Sequence, residues 1–138
     1  MSYASIVPLI GGETIAMENV FGEKPKYFLT FDGFQANESH INNYYNHKVP
    51  YLNLSEGASY TEKVDVINTV CPCAGLSSLS PSASSNNPMN EWMYKSAEYV
   101  LGEVQPKVFW GENAPRLASK MGEPVVRRLR KIGEEHGY

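Results

Sequence analysis

Cys71 and Cys73 have the greatest capacity for covalent chemistry in this chain, and only Pro72 separates them. That spacing is too tight and too rigid for an ordinary disulfide. A zinc site would need further soft ligands, and His40, His47 and His136 show no partner spacing, so no metal is expected. Each thiol is therefore a small core residue or a nucleophile. Cys71 continues an apolar run and fits the first role. Cys73 is followed by Ala74-Gly75, which leave room for a substrate ring, and a thiolate attacks when positive charge or a helix amino end lowers its pKa. Glu112-Asn113 lies 39 residues beyond Cys73. Beside Phe109 and Trp110, an apolar wall would raise the Glu112 pKa and let it donate a proton or hydrogen bond. A helix cap or a surface acid would leave the same pattern.

Gly11-Gly12, at the end of an apolar run, would let the backbone approach a ligand. Asp32 follows Gly12 by 20 residues, an interval at which an acidic side chain can take both hydroxyls of a ribose. A tight turn and a solvated Asp would give the same spacing.

The elements that must position these residues alternate between strand and helix. Ala4 to Ile10 is strand-like, and Glu13 to Phe21 is a helix closed by Gly22. Lys26 to Phe31 is a second strand, ending at Asp32-Gly33. A helix from about Ala36 to His47 has Ile41, Tyr44 and Tyr45 as its apolar side. After an extended piece, Val49 to Leu54, the run Val64 to Val70 reads as a buried strand that leads into Cys71. Ser78 to Asn87 is rich in Ser, Asn and Pro, has few apolar groups to hold it, and is expected to be a mobile loop. Asn87-Pro88 starts a helix with Met93, Ala97, Val100, Leu101 and Val104 on one face, stopping before Pro106. Lys107 to Trp110 is the last strand. A final helix from about Glu123-Pro124 turns Val125, Leu129 and Ile132 inward and Arg127, Arg128, Arg130 and Lys131 outward, and closes at Gly137. This order predicts an α/β fold: a parallel sheet flanked by helices, with its ligand crevice at the carboxyl ends of the strands. Gly11-Gly12, Asp32, Cys71-Pro72-Cys73 and Glu112-Asn113 all fall at those ends.

The 138 residues suit one domain or part of one, and a composition 42% apolar and 20% charged excludes a wholly disordered chain. No apolar run approaches the roughly 18 residues that span a bilayer, so no membrane partner is expected. The start, Met1-Ser2-Tyr3-Ala4, lacks the basic region of a signal peptide, and the cytoplasm is the expected location. The net charge of −3 is uneven. Residues 1–104 carry five Lys and Arg against eleven Asp and Glu, and residues 105–138 carry seven against four. A solvated basic helix face accounts for that tail unless the chemistry of the site itself demands DNA.

The order Pro-Cys, loop, helix, strand, Glu-Asn resembles that of the DNA cytosine-5 methyltransferases. Val66 to Ser77, centred on Pro72-Cys73, looks like their Pro-Cys motif. Pro106 to Ala114 resembles their Glu-Asn-Val motif, and Pro8-Leu9-Ile10-Gly11-Gly12 is similar to their glycine-rich first motif. The resemblance implies a Rossmann-like, S-adenosylmethionine-dependent fold, and a catalytic, cofactor-binding part spanning 1–138. Cys73 would add to C6 of a cytosine flipped out of duplex DNA, and Glu112 would hold its N3/N4 edge. The cofactor would lie against Pro8, Leu9, Gly11, Gly12, Asp32, Asn53 and Pro72. Ser77, Ser78, Asn113 and Arg116 would face the DNA, with Ser78 to Asn87 closing over it. A bacterial or phage-infected cell is the implied setting.

The chain departs from the family pattern at several points. Val7 and Leu9 stand where an aromatic residue and a further glycine are usual. Asn53 replaces an Asp that binds the adenine amino group, Ala74 a Gln, and Ala114 a Val. The later catalytic motif, the target-recognition region and the motif that completes the cofactor pocket have no counterpart here. The expectation is therefore an amino-terminal catalytic half whose sheet is incomplete at its C-terminus, completed by a second polypeptide or a longer chain. Two alternatives are a catalytically idle remnant that binds nucleotide or a partner, and a methyltransferase acting on RNA.

Overall fold

The computed structural model describes residues 1–59 and 62–138. Five strands form one parallel sheet: β1 (Tyr3–Ile6), β2 (Phe28–Thr30), β3 (Tyr51–Asn53), β4 (Val66–Thr69) and β5 (Val108–Gly111). Their order is β3-β2-β1-β4-β5. Helices α1 (Gly12–Phe21), α2 (Gln35–Tyr44), α3 (Glu91–Tyr99) and α4 (Glu123–Glu135) lie between and after them. This is the α/β, Rossmann-like architecture that the alternation predicts. The strand order reverses between β1 and β4, and in such sheets ligands bind at the carboxyl ends beside that reversal. Ile6 pairs with both Leu29 and Thr69, so β1 is the central strand there.

Two compact units divide the chain. The first holds Met1–Val70 and Val104–Gly111, and the second holds Cys71–Glu103 and Glu112–Tyr138. The whole sheet, α1 and α2 belong to the first. All four residues of β1 and of β4 are buried, which suits a parallel strand covered on both faces. Successive strand residues point to opposite faces, so Tyr3 and Ser5 share one side of β1, and Val66 and Asn68 one side of β4. Met17 of α1 packs on Tyr3 and Val66. Ile41 of α2 packs with Phe28, Tyr45 and Val49.

At the amino ends of the strands, Asp65 accepts from Ser2 N at 3.1 Å and pairs with Lys107 at 3.0 Å, which gathers β1, β4 and β5. Lys107 holds the Asp65 carboxyl below the usual carboxylate range.

In the second unit, Asn87 caps the turn Pro88–Asn90 by accepting from Met89 N at 2.9 Å, and that turn runs into α3. Met93, Ala97, Val100 and Leu101 are buried, as their spacing requires. The last turn widens into a π-helix over Val100–Val104 before Gln105 turns to a left-handed φ of 56° and Pro106 ends the helix. α4 exposes Arg127, Arg128, Arg130 and Lys131 and buries Val125 and Ile132, with Leu129 half-buried at the margin of that face. Among the described residues, no helix is long and apolar enough to cross a membrane.

Two elements differ from expectation. β1 stops at Ile6, not Ile10, because Val7 and Leu9 adopt a φ of 51°, outside the strand region. Tyr44 is exposed, so the inner face of α2 is Glu38, Ile41 and Tyr45, with Tyr44 set edge-on to Tyr45 at 4.9 Å. The loop 78–87 lacks apolar anchors and carries hydrogen bonds along its path. Ser84 N donates to Gly75 O at 3.0 Å, Asn87 Nδ2 to Ser82 O at 2.9 Å and Asn90 Nδ2 to Ser84 O at 2.9 Å.

Candidate functional site

In the first unit, the β1–α1 turn carries Pro8, Leu9, Gly11 and Gly12. Pro8 and Gly11 are buried, Leu9 is half-buried and Gly12 is exposed. Gly11 has a φ of 99°, and a Cβ there would come within 2.5 Å of Ile41 Cγ1. Only glycine fits both the conformation and the closeness of α2. A Cβ on Gly12, by contrast, would meet nothing within 4 Å, so open space lies over it. Among the described residues, no side chain caps α1, which leaves the first N–H groups of the helix to an acceptor.

Beneath the turn, Ser5 Oγ donates to Asn68 Oδ1 at 2.5 Å and lies 2.9 Å from Thr14 Oγ1. With its proton committed to Asn68, the serine oxygen accepts from Thr14. The chain ties β1, α1 and β4 together just below the reversal point. Sequence periodicity missed it, since each of the three residues reads alone as an ordinary polar position.

Asp32 and Asn53, at the ends of β2 and β3, meet directly. Asn53 Nδ2 donates to Asp32 Oδ1 at 2.7 Å, and Asn53 Oδ1 accepts from Ser55 N at 2.9 Å. Ser55 Oγ in turn accepts from Asp32 N at 3.0 Å. Asp32 is exposed and thus open to a hydroxyl-bearing ligand, while both polar atoms of Asn53 are engaged within the protein. The open space above Gly12, the uncapped start of α1 and this oriented carboxylate fit an adenosyl group carrying an amino acid. The first two suit its carboxylate end, and Asp32 suits its ribose.

In the second unit, Cys71 is buried, and its thiol donates toward Trp92 O and lies 3.4 Å from Ser96 Oγ on α3. It is the core thiol. Cys73 is exposed. Its carbonyl accepts from Leu76 N at 3.0 Å and Ser77 N at 2.8 Å, forming a turn that buries Leu76 completely. Gly75 is buried in that turn, where any Cβ would collide with Asn90 Oδ1. Pro72 and Ser77 are half-buried and Ser78 is exposed. Asn113 reaches the same helix, since its Nδ2 donates to Met93 Sδ at 3.3 Å and its Oδ1 accepts from Ala114 N at 2.7 Å. α3 thus anchors both the segment with Cys73 and the segment with Glu112.

Glu112 is exposed. In the first unit, Val108 and Trp110 of the edge strand β5 are exposed and Phe109 is half-buried. Arg116 is half-buried, and its guanidinium lies toward Met121 Sδ.

Two facts from known proteins bear on this geometry. No protein-family model matches the chain. The chain is 34% identical over 85 residues, 56% of its length, to a Methanocaldococcus jannaschii protein named "Putative type II methyltransferase M.MjaORF1200P". The matched stretch is 22% of that relative, so the chain spans less than a quarter of it.

Proposed function

We propose that this chain is the cofactor-binding and nucleophile-bearing part of an S-adenosylmethionine-dependent methyltransferase acting on C5 of cytosine in double-stranded DNA. The observation that carries the reading is the contrast between the two thiols. Cys71 is sealed into α3, while Cys73, two residues on, is exposed in a turn hung from the same helix that holds Asn113. The likeness to a methyltransferase relative supports the same class of reaction.

The cofactor supplies a methyl group on a sulfonium centre. In the first unit, Asp32 would hold the ribose, the β1–α1 turn with Leu9, Gly11 and Gly12 the amino-acid end, and Pro8 would pack on the group. Asn53 would orient Asp32, since its amide is already spent on Asp32 and on Ser55 N. In the second unit, the Cys73 thiolate would add to C6 of a cytosine taken out of the stack, and Glu112 would hold its N3/N4 edge. C5, made nucleophilic, takes the methyl group and then gives up its proton to a base, and the C6–S bond breaks to restore the thiolate. Asn113, Arg116, Ser77 and Ser78 would line the DNA side.

Transfer of labelled methyl groups from S-adenosylmethionine to duplex DNA tests this reading. Label on cytosine C5 that disappears in Cys73→Ser is the expected result. Strong transfer to RNA but not to DNA would replace the substrate.

A further inference from the structure

Glu38 is wholly buried on α2, and the reading above gives it no role. Its Oε1 accepts from Thr30 Oγ1 at 2.5 Å, at the carboxyl end of β2, and from Tyr51 OH at 2.6 Å, at the start of β3. Its Oε2 accepts from Leu9 N at 3.3 Å, in the β1–α1 turn. One helical turn later, Ile41 presses on Gly11, so a single face of α2 supports the glycine turn at two points. These three donors are neutral. Burial raises the Glu38 pKa even though each hydrogen bond pulls it down, so the carboxylate is a poor choice for stability alone.

The turn it touches is strained. Val7 and Leu9 both sit at a φ of 51°, a region that β-branched and bulky side chains avoid, and such a backbone persists only where its surroundings hold it. We propose that Glu38 is a positioning residue, which through the Leu9 N–H holds the β1–α1 turn in the shape that receives the adenosyl cofactor. The cofactor half of this inference rests on the proposed function; the hold on the turn does not.

The bond geometry separates this role from simple space-filling. The two hydroxyls at Oε1 can rotate to accept, so a Gln at position 38 keeps an oxygen on Leu9 N–H and turns its NH2 toward Thr30 and Tyr51. A Leu cannot. Glu38→Leu is expected to weaken S-adenosylhomocysteine binding by at least about tenfold in titration calorimetry of folded protein. It should also speed exchange of the Leu9 amide proton by at least about tenfold. Glu38→Gln should keep both within about threefold.

A lower melting temperature in Glu38→Leu with unchanged affinity and unchanged Leu9 exchange overturns the proposal. Failure of the unsubstituted chain to bind S-adenosylhomocysteine contradicts the cofactor reading, whereas Leu9 exchange in the unliganded protein tests the hold on the turn by itself. If Glu38→Leu does not fold, the unsubstituted protein decides. Leu9 exchange slowed at least about tenfold below the free-peptide rate supports the bond, and exchange at that rate overturns it.

Discussion

In the first unit, the candidate residues rest on a frame of hydrogen-bonded polar groups. Ser5, Thr14 and Asn68 bond to one another under the turn, Glu38 takes the Leu9 N–H, and Asn53 aims Asp32. In the second unit, Cys73 and Glu112 are exposed, and their segments hang from α3 through Cys71 and Asn113. A site for a bound group benefits from a frame set before the ligand arrives. A nucleophile that must meet a large polymer has to remain accessible. Mutations in the two units should therefore fail differently: in the first through affinity and stability, in the second through rate.

The sharpest break between the units is expected at the thiols. Cys73→Ser should lower methyl transfer at least about a thousandfold without changing the melting temperature, because only the attacking atom is altered. Cys71→Ser should keep most of the activity, since a hydroxyl can still donate to Trp92 O.

Next in size is the buried frame. Asn68→Ala strips Ser5 of its acceptor and should cost about 2 kcal/mol in urea denaturation.

Asp32→Ala should weaken S-adenosylhomocysteine binding about tenfold, with little loss of stability, because Asp32 is exposed. Asn53→Ala should weaken binding by a smaller factor, about threefold, through the loss of aim. An equal loss in both would mean that Asn53 touches the ligand itself.

A pH series sharpens the same contrast. Burial raises the Glu38 pKa in the folded state, so its contribution is fullest in acid, below the ordinary Glu range, and declines as pH rises through the raised value. Melting temperatures across that window should show this decline in the unsubstituted protein and not in Glu38→Gln.

The smallest effect should come from Arg128→Ala on α4. Arg128 pairs with Glu91 at 3.3 Å and stacks on Tyr94, but it is exposed, and the cost should stay below about 1 kcal/mol.

Much of this was legible in the residues. The strand and helix order follows from periodicity, and the assignment of Cys71 to the core follows from its place at the end of a buried run. Glu38 was missed because a Glu on a short polar helix reads as a solvated face. The signal was its placement three residues before Ile41 and seven before Tyr45, on the side that carries the packing. The early end of β1 was missed for a different reason. Val7 and Leu9 have strand-like side chains, and tertiary hydrogen bonds meet them at positive φ: Val7 N donates to Leu29 O, Val70 N to Val7 O, and Leu9 N to Glu38 Oε2. The exposure of Val108 and Trp110 depends on whether β5 lies inside the sheet or at its edge, which local letters do not encode.

The most direct test of the central claim is covalent trapping on duplex DNA containing 5-fluorocytosine in the presence of S-adenosylmethionine, read on a denaturing gel. The account predicts a stable protein–DNA adduct with the unsubstituted chain and with Cys71→Ser, and none with Cys73→Ser. An adduct that survives Cys73→Ser, or is lost equally in both variants, would contradict it.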